Sequence, residues 1–347
     1  MIINKKIFKE TCEILNGIVK SKYSNFFTVA IPWMHVIRSH PIFISRYEKI
    51  YDDRYNKSFT LIKYLVKIAI IFIKSFLNIR NRSIIGSVSK SNIDYLFISH
   101  LINKNQLNQK FDLYFFDIPN KLESIGREVS IVSLLGLQNI KYSLLIKKQK
   151  NIPNYYFTYT LSPIQELKII YKLIIEAIRL KKISALFKTS KSKIFDLASN
   201  EALSPGTHFN LRLSLQVKNL IKQVNPKFLV CTYEGHAYER IIFSSARQVN
   251  PNIICISYQH AGVFEMSNAI KIKLSNQFNP DYIFTSGVFG KEDLKKSKDL
   301  NEIKILKFGS NRGLLNSKID KRNYKINYCL VIPEVFVSEC NKLFDFS

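Results

Sequence analysis

The sequence predicts an α/β protein built around a parallel β-sheet. Short apolar runs at 228–231, 253–256 and 282–284 each end abruptly in compact polar residues, and segments of helix length separate them. Runs of this kind, bounded by turn signals, are typical of parallel strands that are buried on both faces. The 347 residues suffice for one large core or for two domains, and two domains are favoured.

The N-terminal half mixes strand and helix signals. Residues 1–60 combine helical patterns with a turn-rich segment, IPWMHVIRSHPIF, that contains the only tryptophan. Long helical insertions are predicted at 59–79 and 166–196. The predicted strands of this half are 94–99 (DYLFIS), 112–119 (DLYFFDIP), 129–134 and parts of 142–160.

The C-terminal half continues the alternation of strands and helices. The sequence Ser204-Pro205-Gly206-Thr207 is predicted to break the chain before a helix over 210–223, and another strand is expected at 304–308. We expect residues 1–310 to form one Rossmann-like domain. The polar, basic segment 311–325 is predicted to be a linker, and 326–347 to be the first strand and helix of a truncated second domain.

The chain is strongly basic. It has 52 Lys+Arg against 26 Asp+Glu, a net charge of +26. This balance indicates either a phosphate-rich partner, such as an anionic membrane surface, or the codon bias of an AT-rich genome, because the chain is also rich in Ile, Asn and Phe. The lysines are spread along the chain rather than gathered in a block, so we expect no nucleic-acid partner.

The cysteines and the N-terminus indicate a reducing compartment. Five cysteines show no ligand spacing, which predicts buried thiols and no metal site. The N-terminus lacks the apolar core and cleavage site of a signal peptide. The expected location is cytoplasmic, with peripheral attachment to the inner face of the membrane as an option.

Two predicted cationic amphipathic helices are the features that indicate contact with a membrane. Lys63, Lys67 and Lys74 interrupt the apolar segment 59–79, so it holds no uninterrupted run of about 18 apolar residues. The segment 166–187 has the same character. Each is either a buried amphipathic helix or an in-plane helix attracted to anionic lipid.

Residues 233–240, YEGHAYER, are the strongest local constellation. Gly235 permits a tight turn from strand to helix, and the free N–H groups of that helix would suit a phosphate. Glu234, just beyond the strand, is placed to accept a proton from a hydroxyl nucleophile. Alternatively, Glu234 and Glu239 cap the helix and complement its dipole.

The same arrangement recurs after the next two strands. Gln259-His260-Ala261-Gly262 follows one of them, and Ser286-Gly287 follows the other. His260 could act as a base or donate to a phosphate oxygen, or it could be a structural histidine of the loop. The chain has no paired aspartates of the Asp-x-Asp type, no GxGxxG after a strand and no GxSxG. Metal-dependent transfer, dinucleotide redox chemistry and serine hydrolysis therefore lose support.

These segments carry a family resemblance. TYEGHAYER, SYQHAG and NPDYIFTSG resemble the strand-end motifs of bacterial surface-carbohydrate biosynthesis proteins with a GT-B-type glycosyltransferase fold. IPWMHVIRSHPIF and DYLFISHLIN…FDLYFFDIP are similar to N-terminal segments of that group, and the resemblance covers roughly residues 30–345. The group is similar to capsule, O-antigen and 3-deoxy-manno-octulosonate transferases in how two domains share the acceptor and the donor.

The resemblance implies transfer of a sugar from a nucleotide-activated donor to a surface polysaccharide or lipid-linked glycan, without a cofactor. The N-terminal domain would hold the acceptor, and the C-terminal domain the donor. Since only the first strand and helix of the C-terminal domain are predicted, we expect the chain alone to bind nucleotide sugars weakly or not at all. A second hypothesis is a non-catalytic, truncated paralogue or a fragment of a split enzyme that binds glycan or membrane. The expected catalytic residues are Glu234 and His260. The expected substrate-binding residues are His236, Glu239, Arg240, Gln259, Gly262, Ser286 and Gly287.

Overall fold

One mostly parallel sheet of eight strands organises the molecule. The computed structural model describes residues 5–39, 50, 57–76, 83–86, 92–109, 111–136, 152–188, 190–263 and 267–310. The strands are β1 (Ile84–Ile85), β2 (Tyr95–Leu101), β3 (Val129–Leu135), β4 (Asn154–Phe157), β5 (Phe228–Thr232), β6 (Ile254–Gln259), β7 (Tyr282–Thr285) and β8 (Lys304–Lys307). They lie in the order β1-β4-β3-β2-β5-β6-β7-β8, and only the β1–β4 pair is antiparallel. The predicted α/β class with a parallel sheet is confirmed.

Ten α-helices accompany the sheet within the described ranges. In chain order they are α1 (Lys5–Val19), α2 (Phe26–Val29), α3 (Pro32–Val36), α4 (Lys57–Phe76), α5 (Ile118–Ser124), α6 (Pro163–Ser184), α7 (Ser190–Ala202), α8 (Pro205–Val224), α9 (Ala237–Arg247) and α10 (Val288–Lys295). None of the described helices is long and apolar enough to cross a membrane.

The strand order reverses between β2 and β5. From β2 the chain adds β3 and then β4 on one side, and from β5 it adds β6, β7 and β8 on the other. β2 pairs in parallel with both β3 and β5, with Ile98 opposite Val132 and Cys231. This is the Rossmann-like, doubly wound plan, in which a crevice opens beyond the carboxyl ends of the strands at the reversal.

Alternating side chains of the strands fill two cores. On one face, Leu96 and Leu229 pack with Val217 of α8 and Phe243 of α9. On the other face, residues one position further along, Phe97 and Val230 among them, pack with Phe115 and, at the margin, with α5. The period of two places neighbouring residues of a strand on opposite faces, so one sheet serves both cores.

The N-terminal helices form a third core with α6 and α7. Trp33 and Phe8 are buried there together with Leu173 and Phe195. The layer is tied to the C-terminal half through Arg38, whose carbonyl oxygen accepts hydrogen bonds from the backbone nitrogens of Asn268 (3.0 Å) and Ala269 (3.1 Å).

Residues 204–207, which were predicted to interrupt the chain before a helix over 210–223, form the start of helix α8 itself. The hydroxyl of Ser204 accepts a hydrogen bond from the Thr207 nitrogen at 3.3 Å, and Pro205 occupies the first turn. Both features favour helix initiation, because the first turn has free N–H groups and proline lacks one. The helix ends at Asn225 in the left-handed conformation.

The prediction of a strand over 112–119 is wrong. The carboxylate of Asp112 accepts hydrogen bonds from the backbone nitrogens of Tyr114 (2.8 Å) and Phe115 (2.9 Å), which closes a turn. Phe116 has a φ of 51°, and α5 begins two residues later. The side chain of Asp112 therefore competes successfully with strand pairing, although the segment is rich in apolar residues.

The predicted bounds of the domains and of the helical insertions can be compared with the structure. Residues 1–311 form one compact unit. The helical insertions correspond to α4, whose predicted last residues, 77–79, lie outside the described part, and to α6 with α7. Of the predicted strands in 142–160, β4 is present and residues 142–151 lie outside the described part. The predicted linker 311–325 and second-domain start 326–347 also lie outside it.

Candidate functional site

Polar side chains gather beyond the carboxyl ends of β2, β5 and β6, where the strand order reverses. β2 supplies His100, β5 leads into Glu234 and His236, and β6 leads into His260. Since these strands are parallel neighbours, their carboxyl ends share one edge of the sheet. Ligands of doubly wound sheets bind at this position.

Gly235 makes the turn between β5 and α9 possible. Its φ is +81°, a conformation that residues with a side chain rarely adopt. A Cβ atom at this position would lie 2.4 Å from the carbonyl carbon of Ala269. The glycine therefore provides both the backbone conformation and the close approach of the 269–270 segment, and it leaves Glu234 and His236 on either side of the turn.

Glu239 fixes the backbone of that turn from inside the protein. Its carboxylate accepts hydrogen bonds from the nitrogen of Glu234 (3.0 Å to each oxygen) and the nitrogen of His236 (2.8 Å). The hydroxyl of Tyr238 donates a further bond at 3.1 Å. Glu239 has no exposed surface, so its predicted capping role is the one that the structure displays.

The carboxylate of Glu234 lies between two imidazoles. Oε2 is 3.2 Å from Nε2 of His236, and Oε1 is 3.5 Å from Nε2 of His260. Of the three side chains, Glu234 is the most exposed at 38%, against 25% for His236 and 13% for His260. A ligand entering from solvent would therefore meet the carboxylate first.

The pair Glu234–His236 has opposite shifts in pKa. The hydrogen bond from His236 lowers the pKa of Glu234 below its usual value, against the opposing effect of burial. Burial lowers the pKa of His236, but its hydrogen bond to Glu234 and the charges of Glu239 and Glu234 outweigh burial, so the pKa of His236 is raised. Burial also raises the pKa of Glu239 to about 7, although its hydrogen bonds to backbone N–H groups oppose this rise. The exposed carboxylate is therefore ionised at neutral pH, and the imidazole beside it keeps its proton to a higher pH than an ordinary histidine does.

His100 belongs to this cluster and was not among the predicted site residues. Its Nε2 lies 3.3 Å from the hydroxyl of Thr232 at the end of β5 and 3.5 Å from that of Tyr238. Its ring also lies 5.3 Å from that of Tyr114, which packs edge-on against His260 at 4.9 Å. Burial, followed by the charges of His260 and His236, lowers the pKa of His100 to about 4, so it is neutral at physiological pH.

A signal for His100 was present in the sequence. It follows the apolar run 94–99 in the same way as Glu234 and His260 follow theirs. A small pocket next to His100 is also bordered by Ser133 of β3 and Tyr156 of β4.

The remaining predicted residues of the strand ends form no hydrogen bond or ion pair with Glu234 in the described part of the chain. Gln259 is buried, and its Oε1 has no hydrogen-bond partner among the described residues. The nitrogen of Ser286 donates to the carbonyl of Gln259 at 3.1 Å, and Gly287 begins α10. Gly262 is exposed after His260. Four predicted residues therefore line the edge over β6 and β7 without contacting the carboxylate.

Arg240 lies beneath the site, not in the crevice. The guanidinium has no exposed surface and donates to the carbonyls of Ala269 (2.8 Å) and Ile272 (2.9 Å) and to Oδ1 of Asn279 (3.2 Å). It holds the segment that packs against Gly235. Arg240 and Glu239 therefore both bind the protein's own backbone.

A wider groove lies at the opposite edge of the sheet, bordered by Arg247, Lys273 and Lys304. Arg247 donates there to three backbone carbonyls and to Asp281 at 2.8 Å. The groove faces the amino ends of β7 and β8, and ligands of parallel sheets bind at the carboxyl ends. We therefore place the candidate site at the Glu234 edge.

The chain matches none of the known protein-family models, and neither curated proteins nor solved structures give a significant match. In the part of the chain that is described, no group of three or more His, Cys, Asp or Glu side chains is arranged to hold a metal ion. Fold and site together define a Rossmann-like α/β protein with a carboxylate–imidazole cluster at its topological switch point.

Proposed function

We propose that this protein is a glycosyltransferase of GT-B type that transfers a sugar from a nucleotide-activated donor to a glycan or lipid-linked acceptor in surface polysaccharide biosynthesis. The observation that carries the proposal is the position of the Glu234 carboxylate, between the imidazoles of His236 and His260 and open to the crevice. A hydroxyl group bound in that crevice would find an ionised acceptor for its proton.

The opposite pKa shifts of Glu234 and His236 support a different role for each of them. Groups whose environments push their pKa values apart provide the base and the acid of a reaction. Glu234, with its lowered pKa, is the base, and His236, with its raised pKa, is the cation that faces the leaving phosphate. His260 is the second imidazole on the carboxylate and orients it.

The reaction is a displacement at the anomeric carbon. The acceptor oxygen forms the new C–O bond, and its proton passes to a carboxylate oxygen of Glu234. The bond from the anomeric carbon to the donor's phosphate oxygen breaks, and the nucleotide leaves with the electron pair. A protonated His236 stabilises the negative charge that develops on that phosphate.

Buried residues around the turn position these groups. Glu239 holds the nitrogens of Glu234 and His236, and Arg240 holds the segment on which Gly235 rests. Contacts to the substrate are left to the edge over β6 and β7, where Gly262 is exposed, Ser286 and Gly287 are half-buried and Gln259 is buried.

The test combines binding with turnover. Calorimetry with a panel of nucleotide sugars identifies the donor, and release of nucleotide in the presence of lipid-linked and soluble glycans identifies the acceptor. Glu234→Gln should keep donor binding and lower turnover by about 10²–10⁴-fold, as loss of a general base does. The matched control is Glu302→Gln, because the Glu302 side chain is 79% exposed at the opposite edge of the sheet.

The outcomes separate the candidate functions. Turnover that Glu234→Gln leaves unchanged would remove the base assignment. Binding of glycan without any turnover would favour the second hypothesis, a non-catalytic glycan-binding protein. Micromolar binding of a nucleotide sugar would mean that the donor site lies in the N-terminal domain. Absence of nucleotide release with every donor and acceptor tested would contradict the proposal.

A further inference from the structure

Helix α4 exposes a continuous apolar face. Its buried positions, such as Ile68 and Ser75, lie on one side of the helix, and large apolar side chains cover the other. The exposed residues are Ile62, Leu65, Val66, Ile70, Ile73 and Phe76. Spacings of three and four residues place them on one side of a helix, so they form a stripe, named here the α4 stripe.

Helix α6, which packs against α4, exposes a second stripe. Ile169, Leu173 and Leu180 are buried in the N-terminal core, whereas the outer side of the helix is apolar. The residues of this α6 stripe are Ile164, Leu167, Tyr171, Ile174, Ile175 and Ile178. Soluble monomers rarely expose so many large apolar side chains on neighbouring elements, which marks the two stripes as an interaction surface.

The exposed charges of α4 and α6 themselves are of one sign, although one of the lysines, Lys181, pairs with Asp196 of α7. The sequence of α4 contains no acidic residue. The two acidic residues of α6, Glu166 and Glu176, are buried and bind Arg212 (2.8 Å) and Arg179 (2.7 Å). The exposed charges beside the stripes therefore come from lysines: Lys63, Lys67, Lys74, Lys168, Lys172, Lys181 and Lys182.

We propose that α4 and α6 dock the protein on an anionic lipid surface, with both helices lying in the plane of the interface. The apolar stripes would enter the boundary between headgroups and acyl chains, and the lysines beside them would contact the lipid phosphates. The charge pattern favours an anionic lipid surface over a second copy of the chain as the partner, because pairing two such protein surfaces would bring like charges together.

The inference is independent of the reaction proposed above, since it uses no residue of the Glu234 cluster. Flotation of the full chain with vesicles provides the test. One set of vesicles contains phosphatidylcholine alone, and the other contains phosphatidylcholine mixed with phosphatidylglycerol. We expect the protein to float with the mixed vesicles only, and less so as the salt concentration rises, because salt screens exposed charges.

Matched variants separate the stripes from the rest of the surface. Ile73→Ser with Tyr171→Ser removes one aliphatic and one aromatic side chain from the stripes, where both are about two-thirds exposed (64% and 65%). Its control is Ile125→Ser with Phe289→Ser, because these two residues are exposed elsewhere (70% and 93%). All four positions are exposed, so folding should be retained.

A second pair of variants tests the charges. Lys67→Gln with Lys172→Gln removes two lysines beside the stripes, and Lys295→Gln with Lys298→Gln removes two exposed lysines near α10. We expect flotation to fall several-fold in the stripe and stripe-lysine variants and to stay unchanged in both controls. Equal loss in the controls, or no flotation of the unaltered chain, would overturn the proposal. So would a dimer, seen by analytical ultracentrifugation, that the stripe variant dissociates.

Discussion

Nε2 of His236 lies 3.2 Å from Oε2 of Glu234, and a single residue, Gly235, separates the two in sequence. Side chains two residues apart meet here because the chain reverses from strand to helix between them. The contact therefore depends on the positive φ of Gly235 and on the bonds from Glu239 to the backbone on both sides. Four consequences can be measured.

The first prediction concerns the protonation of His236. Its pKa should exceed 6.5, and Glu234→Gln should lower it, because the substitution removes a hydrogen-bonded negative charge. Titration of the ring protons by NMR measures both values. In Glu302→Gln the value should stay as in the unaltered chain. An unchanged pKa in Glu234→Gln would mean that the two side chains do not interact in solution.

The second prediction concerns the pH dependence of turnover. A lowered pKa of Glu234 places the acidic limb below pH 4.5, and a raised pKa of His236 places the alkaline limb above pH 6.5. The profile of kcat/KM should therefore be bell-shaped, since it needs ionised Glu234 and protonated His236. In His236→Gln the alkaline limb should disappear. Its persistence would assign that limb to another group.

The third prediction concerns Gly235. Gly126→Ala tests positive φ alone, because Gly126 has a φ of +80° and a Cβ added there would meet no atom within 4 Å. It should reduce the free energy of unfolding by about 1–2 kcal/mol. Gly235→Ala adds the collision with Ala269, so its cost should be larger by about 1–3 kcal/mol. Urea denaturation gives both values, and equal costs would show that the 269–270 segment moves aside freely.

The fourth prediction concerns acid stability. Burial lowers the pKa of His100 to about 4 and of His208 to about 3, and the pKa of His35 is also lowered well below its usual value. Below pH 6.5 the unfolded chain takes up protons that these folded-state histidines do not, so the three histidines reduce stability as the pH falls. Glu239 acts in the opposite direction, because its raised pKa lets the folded chain take up a proton first, but it opposes only one of the three. Between about pH 7 and 5 the loss should be about 1–2 kcal/mol for each histidine.

Urea denaturation across that pH range measures the loss. His100→Gln should reduce the slope of stability against pH, because it removes one of the three histidines whose pKa is lowered by burial. The matched substitution Gln109→His, at an exposed position, leaves all native histidines in place and shows how a newly introduced imidazole behaves. A slope that His100→Gln leaves unchanged would place the pKa of His100 near that of the unfolded chain.

Local patterns predicted the parts of the site that depend on single strands. The runs before Glu234 and His260 are apolar because both faces of β5 and β6 are covered, and such burial is visible in the sequence. His100 was missed because its role depends on β2 lying beside β5, although the two strands are more than a hundred residues apart in the chain. The position of His100 after the run 94–99 is visible in the sequence, but the pairing of β2 with β5, which brings it to Thr232, is not.

The functions of Asp112 and Arg240 also depend on context. The apolar composition of 112–119 resembles that of a strand, and the turn follows from two hydrogen bonds to the Asp112 carboxylate. Arg240 stands in a segment that resembles a phosphate site, but its partners are carbonyls of the distant loop around Ala269 and Ile272. The roles of Asp112 and Arg240 depend on their hydrogen-bond partners, and the pattern of a single segment does not reveal those partners.

The N-terminal core has a consequence for synthesis on the ribosome. Thr28 donates to Glu176, which lies 148 residues later, and the carbonyl of Arg38 accepts from the still later Ala269. At about 5–20 residues per second, roughly 7–30 s pass between the translation of Thr28 and that of Glu176. During that interval Phe8 and Trp33 have none of their α6 and α7 partners. Nascent chains should therefore bind holdase chaperones through their first helices until α6 and α7 emerge.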